Sequence, residues 1–257
     1  MDAFRRPRRF GVFLILSAAL AAPLASPAPA RGQIPAEFRN LQVLPETTSR
    51  DSLVLLMRSF SFATGLQCGD CHVMGEGGSF AGARFHLDDK PEKEQARAML
   101  RMVERLNEEM LPELPGRDDP PLRAECKMCH RGLRKPFLLR TELHRVIEQE
   151  GAEAADARYR ALRDQMDEGA YDFGEWEMNE LARELEAQGR DADAAAMLEL
   201  NEEFHPTSAS IPGLLGPLYE RLGRTEEAMA AYARAVGRAP RNQAALARLR
   251  ELIGEGG

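Results

Sequence analysis

Two pentapeptides constrain this chain more than anything else in it: Cys68-Gly-Asp-Cys71-His72 and Cys126-Lys-Met-Cys129-His130. Cys-x-x-Cys-His is the pattern of covalent haem attachment, in which two thiols become thioethers to the porphyrin and the adjacent imidazole falls under the iron. The chain has 4 cysteines, so the two motifs use them all. A structural zinc shell also takes two Cys-x-x-Cys pairs, but typically about 15–20 residues apart. Here residues 72 to 125 separate them, and both histidines would be surplus. A disulfide framework is the other alternative, since exported cysteines are usually oxidised. Two such motifs behind an export signal point instead to two covalently bound haems c. Cys68, Cys71, Cys126 and Cys129 are the expected thioether positions, and His72 and His130 the proximal iron ligands.

The export signal is legible at the start. Arg5, Arg6, Arg8 and Arg9 precede an apolar run from Gly11 to Ala22, and a Pro/Ala stretch follows to Ala30. This is the basic, apolar and small-residue order of a secretory signal over residues 1–30, cleaved after Ala30 or alternatively after Gly32. The run is shorter than the roughly 20 residues that span a bilayer. The expected location is the periplasm or another exported compartment, with membrane contact only through a partner or an uncleaved signal. Thiols protected as thioethers suit that compartment.

The rest is long and apolar enough, at 257 residues and 44% hydrophobic content, for two modest domains. A formal net charge of -7, which grows more negative when the arginine-rich leader is removed, offers no footprint for nucleic acid. It suits solubility and the steering of a basic partner surface.

Within the first domain, residues 31–137, the segment Leu41 to Pro45 reads as a short strand or a wrapping arm. Thr47, Thr48 and Ser49 supply caps for a helix from about Arg50 to Ala63, with Asp51 in its first turn. Leu53, Leu56, Met57 and Phe60 form its apolar stripe, and Gly65 ends it. Doubling back at Gly65 lays Cys68 to His72 beside this helix, so that Met57 reaches the face of the haem opposite His72. Asp88-Asp-Lys-Pro91-Glu92 reads as a second helix start, with an aspartate cap, and the helix is expected to run to about Leu111. Its buried stripe is Ala96, Met99, Leu100, Met102, Val103 and Leu106, with Arg97, Arg101 and Arg105 facing outward or toward haem propionates. Met99, Met102 and Met110 are all candidates for the second iron. Prolines at 112, 115, 120 and 121 then break the helix. His86 is expected as a propionate contact or surface group.

These stretches resemble the cytochrome c subunits attached to photosynthetic reaction centres and the related small exported cytochromes of non-photosynthetic bacteria. The likeness rests on Asn40-Leu-Gln-Val-Leu-Pro45, Met57 to His72, Asp88-Asp-Lys-Pro91, Ala96 to Met102 and Cys126 to Gly132. It implies that a helix parallel to each haem donates a methionine ahead of each attachment motif. By similarity Met57 is the distal ligand of the first haem, and Met99, rather than Met102, that of the second. The photosynthetic subunits carry four haems and this chain has motifs for two, so docking to a reaction centre is not implied. Met/His ligation implies low-spin, relatively oxidising haems.

Past Phe137 the composition turns to Ala, Glu, Arg and Leu, and an internal repeat appears at 34 residues, the tetratricopeptide spacing. Leu181 pairs with Leu215, Ala182 with Gly216, Leu185 with Tyr219, Gly189 with Gly223, Ala194 with Ala228, Leu198 with Tyr232 and Pro206 with Pro240. Asn201, where alanine is usual, and Pro212 depart from the pattern. A degenerate third unit turns at Gly151 and packs through Tyr159 and Leu162, and a last helix, about Asn242 to Ile253, caps the array. His144 and His205 are expected at the surface or in packing, and Trp176 in the core. The expected fold is mainly α: helix-turn-CxxCH units of a multihaem cytochrome, then an α-solenoid over 138–257.

Two function classes follow. In one, the protein is an exported dihaem electron carrier working by outer-sphere transfer, with the repeats either docking a redox partner protein or peptide or serving as a structural appendage that packs the haem domain or mediates self-association. In the other it is chiefly an interaction scaffold whose haems serve structure or sensing. A haem peroxidase is a third option, requiring one iron to lose its methionine. Nothing supplies an open coordination position or a catalytic acid/base pair, so a carrier is expected rather than an enzyme.

Overall fold

The computed structural model describes residues 34–35, 38–116, 121–165 and 169–255. The segment expected as the export signal, residues 1–30, lies outside them. Among the described residues the chain is mainly helical; its only β pairing is an isolated bridge between Val73 and Arg84. No helix among them is long and apolar enough to cross a membrane.

The first half contains four helices: α1 (Arg50–Thr64), α2 (Cys68–Cys71), α3 (Pro91–Arg105) and α4 (Cys126–His130). Helix α1 begins where the sequence places it, because the Ser49 hydroxyl accepts from the Ser52 N–H at 3.2 Å. It stops at Gly65, whose φ of 73° is the left-handed conformation that glycine adopts without a Cβ penalty. Helix α3 departs from expectation at both ends. Its cap position is Lys90 rather than an aspartate, with Pro91 as the first helical residue. Asp88 turns away to bind Lys93 and Arg97, each at 2.9 Å. Beyond Arg105 the backbone loosens into a wider turn over Leu106–Met110 and a tight one over Leu111–Glu113, where Pro112 forbids a regular helix.

The wrapping arm is observed and the strand is not. Asn40 sits at φ 69°, and its amide donates to the His86 carbonyl at 2.6 Å and to the Asp88 carboxylate. Gln42 also donates to Asp88, at 3.2 Å. The arm is thereby fastened to the start of α3 by polar contacts.

The second half is a run of seven helices: α5 (Leu139–Glu150), α6 (Ala152–Gln165), α7 (Glu175–Ala187), α8 (Asp191–Phe204), α9 (Ser210–Arg221), α10 (Thr225–Arg238) and α11 (Gln243–Glu255). They pack as successive hairpins, α5 on α6, α7 on α8 and α9 on α10, with α11 closing against α10. The two later hairpins turn identically. Gly189 and Gly223 have φ of 74° and 72°, and the next residues, Arg190 and Arg224, donate to the carbonyls of Leu185 and Tyr219 at 2.9 and 2.8 Å. That hydrogen bond across a left-handed glycine satisfies a helix-end carbonyl and sets the reversal. Tyr159 and Leu162 are buried in the first hairpin.

One contiguous apolar core runs through this half, from Leu139 to Leu252. Asn201 is fully buried within it and donates to the Glu175 carbonyl and to Asn179 Oδ1, both at 3.0 Å. That polar anchor explains why alanine is absent there. Trp176 is a correction: it is 60% exposed, with the Arg183 guanidinium 5.8 Å from its ring. Its position at the start of α7 is on the outer face, where its indole shields an arginine rather than filling the core. His144 and His205 make packing contacts, to the Gln188 side chain and the Phe173 carbonyl, each at 3.0 Å.

Candidate haem-binding site

The first half is built differently from the second. Between Ile34 and Leu138, Ala63 and Arg97 are the only side chains among the described residues that are almost fully buried. In place of a packed core there is a cavity of about 1050 Å³ lined largely by apolar side chains. Ligand sites usually span about 300–1,000 Å³, so this one is at the top of the range.

Helix α1 presents Leu53, Met57 and Phe60 to the cavity, and α3 presents Ala96, Met99 and Leu100. Both attachment motifs reach the same space: Cys68, Cys71 and His72 from one, Cys126 and His130 from the other. Cys129 is exposed and does not line it. Met99 is among the lining residues and Met102 and Met110 are not, although all three are exposed, Met99 at 45% and Met102 at 46%. His86 also lines the cavity.

The helices pack in a crossed arrangement that differs from the expectation of each motif lying beside its own preceding helix. Helix α1 packs on α4, the second motif, and α3 packs on α2, the first. Lys90, at the start of α3, donates to the Gly69 carbonyl within the first motif. Gly132, after the second motif, donates to the Ala63 carbonyl at 2.8 Å near the end of α1. The return from α3 to Cys126 is held by Asn107, whose amide donates to the Ala124 carbonyl at 3.0 Å and accepts from its N–H at 2.7 Å. Sequence reading missed that clamp, because an asparagine late in a helix carries no distinctive signal.

The two histidines are held differently. His130 Nδ1 lies 2.9 Å from the Leu133 carbonyl, which can only accept, so Nδ1 is the donor and Nε2 is the nitrogen that could face a metal. His72 packs its ring edge-on to Phe85 at 5.1 Å, and its Nδ1 is buried without a protein partner. Burial, then the nearby Lys93 ammonium, lowers its pKa and favours the neutral ring that can ligate a metal. The Phe85 backbone acts in the opposite sense without reaching hydrogen-bond geometry. Burial also raises the thiol pKa values of Cys71 and Cys126, so both are protonated at neutral pH.

Charge at the cavity is mainly positive, with Arg39, Arg58, Lys93, Arg97, Arg134 and Lys135 in its lining against Glu92. Of the two orientations expected for Arg97, outward or toward propionates, the first is not observed: it is buried at the cavity, joined to Asp88 at 2.9 Å and to Glu94 at 2.8 Å. A buried guanidinium is tolerated because two carboxylates neutralise it. Among the described residues no group of three or more Cys, His, Asp or Glu side chains is gathered as a metal shell. The lining is compatible with haem: Cys68, Cys71 and Cys126 at an apolar cavity, an imidazole from each motif, a thioether on each long helix and cations that could offset propionates. No family model matches this chain, and no curated protein matches it in sequence.

Proposed function

We propose that this protein is an exported dihaem c-type cytochrome that carries electrons by outer-sphere transfer. One observation supports this above the others: where the described residues of the first half form little packed core, Cys68, Cys71 and His72 of one motif, Cys126 and His130 of the other, Met57 and Met99 line a single large cavity. Cys68 and Cys71 would hold one haem and Cys126 and Cys129 the other, with His72 and His130 as proximal ligands and Met57 and Met99 as distal ones. Bound haem supplies a one-electron couple. The chain's own residues fix the ring orientation of His130, exclude water with Leu53, Phe60 and Leu100, and offset propionate charge with Arg58 and Arg134.

The helical half is proposed as a tetratricopeptide-like array. The 34-residue offset, the matching Gly189 and Gly223 turns and the buried pairs Leu181/Leu215 and Ala194/Ala228 support that assignment. Its role is to dock the redox partner protein. The resemblance of residues 38–136 to reaction-centre cytochrome subunits supports the haem assignment and does not bear on this docking role.

The test is the absorption spectrum of protein matured in a periplasm, with a pyridine haemochrome count. Two haems per chain, both six-coordinate and reversibly reducible, are expected. A chain without haem that copurifies with zinc would overturn the proposal.

A further inference from the structure

The turn after the second motif is gripped from two sides. Leu133 closes a ring with His130: its N–H donates to the His130 carbonyl at 2.7 Å, and its carbonyl accepts from His130 Nδ1 at 2.9 Å. Arg131 and Gly132, at φ 48° and 90°, make this reversal possible. On one side Gly132 is tied to Ala63. On the other, the Leu133 side chain packs against the apolar core of the helical array. Among the described residues it is the one apolar side chain from the first half packed on that core. The backbone group that orients the imidazole thus belongs to a residue whose side chain is seated in the array.

We propose that Leu133 is a positioning residue through which the helical array sets the reduction potential of the second haem, and of that haem alone. This rests on the haem assignment above. An imidazole that donates from Nδ1 to a carbonyl is a more basic ligand, which favours the ferric iron and lowers the potential. Slack in the Leu133 anchor weakens that hydrogen bond and raises the potential. The first haem has no such tie, since the neighbours of His72, Phe85 and Lys93, belong to the first half. A partner that docks on the array and shifts Leu133 would therefore reset one iron and leave the other.

The experiment is a spectroelectrochemical titration of the full-length holoprotein as wild type, Leu133→Ala, Leu133→Met and Leu249→Ala. Leu249 is packed on the array core far along the chain and controls for loss of array stability. In Leu133→Ala one wave shifts upward by about tenfold in the ferric/ferrous equilibrium, or 59 mV for a one-electron couple. That wave is the one missing from a Cys126→Ala/Cys129→Ala variant, and the other stays in place. Leu133→Met, which refills the seat, restores it, and Leu249→Ala moves neither. If Leu133→Ala fails to accumulate, Leu133→Val carries the same test at smaller amplitude. Unmoved waves in the Leu133 variants, or equal shifts of both, would overturn the proposal. Fewer than two haems in the wild type would overturn the haem assignment itself, and the haemochrome count separates that failure from the first.

Discussion

Gly132 donates its backbone N–H to the carbonyl of Ala63 at 2.8 Å, joining the turn after the second attachment motif to the end of the helix that carries Met57. Gly65 makes the approach possible. A Cβ built there would stand 2.7 Å from the Gly132 carbonyl oxygen, and its φ is already 73°. Because the obstacle is backbone rather than a flexible side chain, the clash adds to the usual cost of about 1–2 kcal/mol for a left-handed L-residue. Gly65→Ala is therefore expected to lower the melting temperature by at least several degrees. Gly77→Ala, at φ 63° with nothing within 4 Å of its Cβ, bears the backbone cost alone. Equal melting temperatures for the two variants would refute the close approach.

The methionines give a second expectation. Met57 and Met99 line the cavity, and Met102, about one turn further along α3, does not. On the proposed ligation, in which each iron would have one thioether ligand, Met57→Ala and Met99→Ala should each remove about half of the far-red ferric band that reports sulfur bound to iron. Met102→Ala should leave it whole. Loss of the band in Met102→Ala would reverse the assignment at the second iron.

Asp88 gives a pH dependence. Arg97, then Asn40 and Lys93, hold its carboxyl well below the usual carboxylate range. In the unfolded chain it titrates near about 3.9. Since the folded value is the lower one, its stabilising contribution is complete above the unfolded value and is lost as the pH falls through the folded one. Asp88→Asn should lower the urea midpoint at neutral pH and flatten its decline in acid. Parallel acid limbs for wild type and variant would show that the Asn40 arm is fastened by other contacts.

Much of this architecture was legible because local rules and packing agree. Ser49 caps and Gly65 terminates α1 where residue chemistry alone puts them, and the 34-residue periodicity locates both later hairpins. Failures came where a tertiary partner overrode a local preference. Asp88 is a good capping residue, yet two cations and the Asn40 amide draw it away from the helix start. Arg97 sits on a face that helical periodicity marks as polar, but its neighbours Asp88 and Glu94 make burial tolerable. The crossed packing of α1 on α4 has no local signature at all, since it depends on Ala63 and Gly132, which are remote in sequence.

The repeat array offers a test of how such matching volumes are encoded. At equivalent positions the first unit pairs Ala182 with Leu198 and the second pairs Gly216 with Tyr232, all buried. A Cβ at Gly216 would lie 2.4 Å from the Tyr232 ring, whose hydroxyl is fixed by donation to Glu220 at 2.5 Å. The larger ring thus requires the smaller residue facing it. Overpacking of this kind typically costs about 1–3 kcal/mol, so Gly216→Ala should destabilise the array by that order in urea unfolding. Tyr232→Leu alone leaves a void and removes one hydrogen bond from Glu220, which keeps its Arg248 partner, so it is destabilising for a different reason. The double variant recreates the Ala182/Leu198 pair and should be more stable than the sum of the two losses implies, with a coupling of about 0.5–3 kcal/mol. Strict additivity would mean that the two positions do not share the space the structure gives them.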